Sequence, residues 1–407
     1  MNCQVCSNPE CKEILSLGKT ALANNFLSPE QLTKEEALFP LELVWCPQCK
    51  LLQLNYVVDP ELMFGHYLYV TSTTKTFRLH FMQMAEDLSK TFHLNENSLA
   101  VDIGSNDGLL LKGFQKCAVQ TIGVEPAKNI AEIAEKDGVP TINSFFNQQT
   151  KDEIIKRKGR ADIITANNVF AHTDTIKDII KNVKLLLKPE GVFVVEVAYL
   201  LEMMKQMTFD MIYHEHLFYY TLTSLDHLFK QEGMQIFKVE QVNTHGGSLR
   251  VFTKKEESSR PIDLSVSKLL EEEESFGVNT IELYQDFAGK ISLVKEKLVS
   301  YLKNIKTQGK KIAGYGAPAK GNTLLSYCGI STNYIDYIVD DNPLKVGLFT
   351  PGTHIPVVDS TELEKNTPDY LLVLAWNFAK EIVEKNAKYK EQGVKFIIPL
   401  PEPQIIE

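Results

Sequence analysis

Between Leu99 and Ala198, apolar runs and helical patterns alternate so regularly that few architectures can hold them. SLAVDIG (98–104), QTIGVEP (120–126), ADIITANNVF (161–170) and GVFVVEVAY (191–199) read as strands. GLLLKGFQ opens a helix after the first, AKNIAEIAEKDG puts Ile130, Ile133 and Ala134 on one face and stops at Gly138, and TIKDIIKNVKLLLKPEG is a third helical pattern. Apolar strands separated by amphipathic helices predict a doubly wound, mostly parallel α/β sheet. EGMQIFKVEQV and HGGSLRVF add strands near its end, with Gly246 and Gly247 permitting the turn between them. A second α/β unit begins at KKIAGYGAPAKG (310–321) and runs through NYIDYIVDDN, DYLLVLAW and VKFIIPLP. Long helical patterns from Leu264 to Ile305 bridge the two units, and the run Glu271–Glu274 reads as a solvated face.

The first fifty residues obey a different logic. Cys3-x-x-Cys6 and Cys46-x-x-Cys49 each set two thiolates on one turn, and two such turns complete a tetrahedral zinc site. The segment is too short for a core of its own, so a bound metal would supply the missing stability. Cys11 is a substitute ligand of less regular spacing, and the seven cysteines in all are odd in number, against a disulfide framework. All-cysteine ligation leaves no open position, so Zn2+ is expected to be structural. At 407 residues, one core does not suffice. The expected units are a zinc-binding module (1–70), the central domain (71–255), and a helical linker with the C-terminal α/β domain (256–407).

Charge and hydropathy exclude other classes. Asp and Glu number 52 against 43 Lys and Arg, a balance unsuited to a general polyanion binder, and KRKGR (156–160) reads as a solvated loop, so no nucleic-acid partner is expected. No apolar run approaches the roughly 20 residues of a membrane span, and MNCQVCSNPECKE lacks a signal-peptide pattern. The expectation is a cytoplasmic enzyme with no membrane partner, monomeric because its three modules can bury their own faces.

The first turn of the central sheet is Asp102-Ile103-Gly104-Ser105-Asn106-Asp107-Gly108. It is not the spaced G-x-G-x-x-G that seats a dinucleotide pyrophosphate, and Asp102 and Asp107 would repel one. A cationic sulfonium or an ammonium group suits it better. Glu125, followed by Pro126, ends the next strand where an acidic group can accept from ribose hydroxyls. The spacing admits NAD and adenosyl cofactors alike, and the acidic loop favours S-adenosylmethionine. Asn167 and Asn168 follow the fourth strand and can line the same crevice; His172 lies just beyond, where ligands of parallel sheets collect.

These motifs, DIGSNDG, NNVFAH, YHEH, HGGSLR and GYGAPAKG preceded by paired C-x-x-C, resemble in order and over nearly the whole chain the nucleotide-sugar C-methyltransferase family. The resemblance implies a central class I methyltransferase domain of Rossmann-like fold between a zinc module and a C-terminal Rossmann-like domain. It implies transfer of a methyl group from S-adenosylmethionine to carbon 3 of an NDP-4-keto-6-deoxyhexose for branched deoxysugar biosynthesis. By the family's motif His216 takes the C3 proton with Glu215 and Tyr213 beside it, His172 reaches the sugar, and Tyr69 of HYLYVTS contributes, with Tyr67 as its neighbour. His214, Arg250, Tyr315 and Lys320 are further candidates for substrate contact, Arg250 and Lys320 toward the diphosphate. C5 methylation, an NAD-dependent sugar oxidoreductase and a non-catalytic zinc-containing binding protein are the competing readings; dTDP and GDP carriers, and an amino or hydroxyl group at C3, stay open.

The residue types suit that chemistry. A neutral imidazole accepts a proton near neutrality, and tyrosine or histidine donors stabilise the enolate oxygen that forms. H-E-H lacks the i, i+4 pair of a metallopeptidase. On a strand Glu215 would face away from both histidines, so a joint role needs irregular backbone. Tyr219, Tyr220 and Thr221 are read as a packing or substrate wall.

Overall fold

The computed structural model describes residues 2–59, 62–63, 75–244 and 246–407. The expected contributors Tyr67 and Tyr69 lie outside these residues.

The N-terminal module is an antiparallel meander, β1 (Lys12–Thr20), β2 (Phe39–Trp45) and β3 (Leu52–Leu54). Each C-x-x-C forms the same knuckle. Ser7 (φ 62°) and Lys50 (φ 61°), one residue past each pair, take the left-handed conformation. Their N–H groups donate to the carbonyls of Cys3 and Cys46, both at 2.9 Å, which turns two thiols of each pair toward a common point.

The central domain opens with helix α1 (Lys75–Thr91), followed by β4 (Leu99–Ile103), α2 (Leu109–Lys116), β5 (Gln120–Val124), α3 (Lys128–Lys136), β6 (Thr141–Ile142), α4 (Gln148–Lys158), β7 (Ala161–Asn167), α5 (Ile176–Leu186) and β8 (Leu187–Ala198). A short helix α6 (Leu200–Lys205) leads to β9 (Phe218–Tyr219), α7 (Leu222–Gln231) and the hairpin β10 (Met234–Val242) and β11 (Ser248–Lys255). The sheet order is β10-β11-β8-β7-β4-β5-β6, parallel from β8 to β6, with β11 antiparallel to both neighbours. This is the Rossmann-like fold of class I methyltransferases, and its strand order reverses between β4 and β7. β9 does not join this sheet. It pairs with β3, Leu52 opposite Tyr219 and Gln53 opposite Phe218, so the central domain supplies the fourth strand of the metal module.

Helices α8 (Leu264–Phe276) and α9 (Ile281–Thr307) span to the C-terminal domain. The acidic run is not a uniformly wet face. Glu273 is fully buried, and its carboxylate accepts from Leu222 N–H (2.6 Å), Thr223 N–H (2.8 Å) and Thr223 Oγ1 (2.6 Å). It caps the N-terminus of α7, where helix polarity favours negative charge. The C-terminal sheet comprises β12 (Ile312–Tyr315), β13 (Ile338–Val339), β14 (Val357–Val358), β15 (Tyr370–Val373), β16 (Lys395–Ile398) and β17 (Gln404–Ile406), with α10 (Ala319–Cys328) after β12. Its order, β14-β13-β12-β15-β16-β17, reverses between β12 and β15, which puts a second ligand crevice at their carboxyl ends. No helix among the described residues is long and apolar enough to cross a membrane.

Candidate active site

Residues 213–216 form a turn, not a strand, closed by His216 N–H on the Tyr213 carbonyl at 2.8 Å. The period-two separation of Glu215 from His216 therefore does not apply. The His216 ring is fixed at both nitrogens. Nδ1 lies 2.8 Å from the Met211 carbonyl, which can only accept, so Nδ1 carries the proton. Nε2 of the neutral ring is then the lone-pair nitrogen, and the Tyr213 hydroxyl donates to it at 3.0 Å. His172 stands edge-on to the same imidazole, ring centroids 4.9 Å apart. Tyr213, His216 and His172 thus form one cluster at the carboxyl end of β7.

Each neighbouring element aims this turn. Leu217 donates its N–H to the carbonyl of Ala171 at 2.6 Å, tying the turn to the residue before His172, and Leu54 N–H donates to the Leu217 carbonyl at 2.8 Å. Glu215 accepts from Asn24 Nδ2 of the N-terminal module at 2.6 Å, and burial raises its carboxyl above the usual range. His214 is placed differently from the expected substrate contact. It is buried, with Nε2 3.3 Å and 3.2 Å from the Phe39 and Pro40 carbonyls of β2, and burial lowers its pKa. It is a clasp between domains. Tyr219 and Tyr220 are buried, which favours packing over a substrate wall.

In the DIGSNDG turn, Gly104 (φ +66°), Asn106 (φ 48°) and Gly108 (φ +75°) all take left-handed conformations. A Cβ on Gly104 would sit 2.5 Å from Val169 Cγ2, so this turn needs glycine twice over, for its backbone angle and for space. Glu125 accepts from Asn106 N–H and Ala127 N–H, each at 2.9 Å, which holds the acidic rim in place, and Pro126 lies between. Asp102 is buried and accepts from Thr165 Oγ1 at 2.6 Å; burial pushes its carboxyl up to about 7. The Asn167 side-chain amide has neither oxygen nor nitrogen bonded among the described residues, although both atoms are buried. An orphaned buried amide costs about 1–3 kcal/mol; with Asp102, Asp107, Glu125 and the glycine turn, it fits a polar, cationic ligand with ribose hydroxyls. S-adenosylmethionine fits that donor set.

The four thiols of Cys3, Cys6, Cys46 and Cys49 lie within 4.8 Å of one another, with Cys3–Cys49 at 3.5 Å and Cys6–Cys46 at 3.4 Å. Thiolate edges of a tetrahedral Zn2+ site have this scale. Cys11 stands outside the cluster, its thiol 3.8 Å from the Asn8 carbonyl.

Arg250 and Tyr315 also depart from the expectation of substrate contact. Arg250 is buried, and its Nε (3.1 Å) and Nη2 (2.9 Å) both meet Glu196 Oε2 on β8. His80 Nε2 of α1 (3.0 Å) and Thr244 Oγ1 (2.9 Å) complete the shell of Glu196. The guanidinium is spent inside the sheet. Tyr315 is packed in the core of the C-terminal domain, with its hydroxyl 3.4 Å from Asp341. Lys320, by contrast, stands at the mouth of the second crevice, 4.2 Å from the centroid of the Trp376 ring.

Sequence comparison places the whole molecule. A methyltransferase domain model matches residues 78–239, a C-methyltransferase C-terminal domain model matches 243–401, and a zinc binding domain model of the same group matches 3–64. Over 404 residues the chain is 36% identical to C-methyltransferase NovU of Streptomyces niveus, covering 99% of this chain and 96% of that protein. The chain belongs to the C-methyltransferase family. This C-methyltransferase is an S-adenosylmethionine-dependent enzyme, with a four-cysteine cluster in its N-terminal module. A shorter match, 32% identical over 117 residues, relates it to a ubiquinone biosynthesis O-methyltransferase of Rhodopseudomonas palustris, covering 26% of this chain and 45% of that protein. Among solved structures, an S-adenosylmethionine-dependent methyltransferase from Clostridium acetobutylicum overlaps 48% of this C-methyltransferase and 95% of itself, at 14% identity and TM-score 0.36.

Proposed function

We propose that this C-methyltransferase methylates carbon 3 of an NDP-4-keto-6-deoxyhexose, with His216 as the base that forms the enolate. The observation that carries the reading is the doubly fixed imidazole, whose Nδ1 proton is held by Met211 and whose lone-pair Nε2 is held 3.0 Å from the Tyr213 hydroxyl. An imidazole so oriented removes a proton from the carbon beside a ketone. The C–H electron pair becomes the new C=C bond, the carbonyl π pair moves onto the oxygen, and donors at that oxygen stabilise the charge. The entering sugar has to displace the Tyr213 hydroxyl from Nε2 so that the lone pair can meet the C–H, and the O–H so released, with His172, is then a donor at hand for the enolate oxygen. S-adenosylmethionine supplies an electrophilic methyl group when bound; the carbon nucleophile takes it, and S-adenosylhomocysteine leaves. Orphaned Asn167 and the acidic turn serve the cofactor, just ahead of His172 at the same end of the sheet.

The nucleoside diphosphate belongs to the second crevice. Gly316 (φ +81°) makes the turn after β12, Lys320 lies in the first turn of α10, and the N-terminus of that helix favours an anion. Burial lowers the Lys320 pKa, and a phosphate at this position would favour its charged form. Structural zinc in the four-cysteine cluster, a monomer in solution and a cytoplasmic setting complete the proposal, with Tyr69 and Tyr67 as sugar contacts. The test is His216→Asn with S-adenosylmethionine and a panel of NDP-4-keto-6-deoxysugars. The variant should keep cofactor affinity and lose both methylation and solvent exchange at the activated carbon, and NMR of the wild-type product should place the new methyl at C3. Normal exchange in the variant removes His216 as the base; a methyl at C5 replaces the regiochemistry.

A further inference from the structure

The 3-10 turn Phe209–Met211 carries the carbonyl that fixes His216, and that turn is itself held from across the domain boundary. Asp210 is fully buried. Its Oδ2 accepts from Trp376 Nε1 at 2.6 Å, while its Oδ1 has no partner among the described residues. Trp376 opens the turn Trp376–Phe378 just after β15, at the carboxyl end of the C-terminal sheet. The face of its ring carries the Lys320 ammonium at 4.2 Å, and Lys320 Nζ also donates to Asn377 Oδ1 at 2.6 Å. Phe209, beside Asp210, packs edge-on against Tyr327 of α10 with ring centroids 5.6 Å apart. An unbroken line of groups therefore runs from Lys320 through the Trp376 indole, the Asp210 carboxylate and the Met211 carbonyl to the His216 imidazole.

We propose that Asp210 and Trp376 are positioning residues that tie the C-terminal crevice to the orientation of His216. An anion that draws Lys320 toward the crevice acts on the ring that anchors Asp210, so occupancy by a diphosphate is felt at the turn that holds the base. The inference rests on His216 as the base. Its physical ground is that a carbonyl aims an imidazole only if its own backbone is fixed. A displacement of about 1 Å at a reacting group costs on the order of 100-fold in rate. The indole N–H is the side-chain donor that holds the Asp210 carboxylate, and through it the turn.

The experiment uses the full chain with Trp376→Phe, Asp210→Ala, Asp210→Asn and the double variant D210A/W376F. Cofactor affinity by calorimetry and thermal unfolding verify that each variant is folded. Trp376→Phe keeps the ring and removes the donor. It should lower kcat and solvent exchange at the activated carbon about 10- to 100-fold with unchanged cofactor affinity, and move the acidic limb of the pH–rate profile downward because the Nδ1 proton is less firmly accepted. Asp210→Asn keeps an acceptor oxygen for the indole and should retain most of the activity that Asp210→Ala loses. The double variant should be no worse than the poorer single one, because both break the same line. Wild-type kcat and pH profile in Trp376→Phe would overturn the proposal, as would Asp210→Asn as damaged as Asp210→Ala. Failure here with His216→Asn inactive removes the latch alone; an active His216→Asn removes the base reading itself.

Discussion

Removing the charge of Glu196 should loosen the central sheet where β8 meets β11, one strand away from the Asn167 side of the cofactor crevice. Glu196 is 1% exposed and Arg250 7%, and the carboxylate is the common acceptor for Arg250, His80 and Thr244. Breaking a buried ion pair from one side costs about 3–5 kcal/mol, chiefly through the charge left behind. Arg250 retains a contact at 3.4 Å to Glu240, so Glu196→Ala belongs at the low end, about 3 kcal/mol. The two tryptophans, Trp45 and Trp376, stand in the flanking units and would miss the effect, so amide hydrogen exchange in β8 and β11 is the suitable assay. About 3 kcal/mol corresponds to protection falling roughly 100-fold there. Glu196→Leu combined with Arg250→Met, which removes both charges, should recover most of the loss. The comparison belongs at pH 7. Burial alone would raise this carboxyl, but His80, Arg250 and Thr244 hold it below the usual range. Its contribution is therefore complete above the ordinary carboxyl value and disappears as pH falls through the lower folded one. Protection in β8 and β11 that stays close to wild type in Glu196→Ala would refute the reasoning.

Further outcomes follow from other sites. Burial pushes the Asp102 carboxyl up to about 7, so binding the cationic cofactor near neutrality should favour the carboxylate and release protons. Calorimetry in buffers of different ionisation enthalpy measures the release, and Asp102→Asn should abolish it. Gly104→Ala places a Cβ 2.5 Å from Val169 Cγ2 at φ +66°, and should weaken cofactor binding at least about tenfold by titration calorimetry. Cys46→Ser should lower zinc content and folding yield; full yield without metal would reject a structural zinc site. The same variant should speed exchange at the Leu217 amide, because Leu54 at the end of β3 holds the Leu217 carbonyl just after the 213–216 turn.

Most of the strand and helix order was legible because buried parallel strands are continuous apolar runs, and the glycine turn after β4 announces itself by residue type alone. What periodicity does not reveal is which partner a polar side chain will find. Glu273 looks like one of four wet glutamates until α7 is packed against it, and Arg250 looks like a free cation until Glu196 lies opposite it on β8. His214 and His216 are near neighbours in the chain, yet one faces β2 and the other Tyr213, because the backbone between them turns. Asp210 and Trp376 carry no motif at all. A buried acid a few positions past a short helix and a tryptophan following a distant strand are linked only by the docking of two domains.

The strand lent by Phe218–Tyr219 has a consequence for how such enzymes can be cut and recombined. A fragment ending near residue 64 lacks the edge that β9 provides, and the remainder loses the strand that braces the His216 turn. A cassette exchange between relatives would have to carry residues 3–64 and the 209–220 stretch as one package, although the two lie far apart along the chain. The seam between the units therefore runs beside the His216 turn, and inheritance of that geometry follows contact in space more closely than order in sequence.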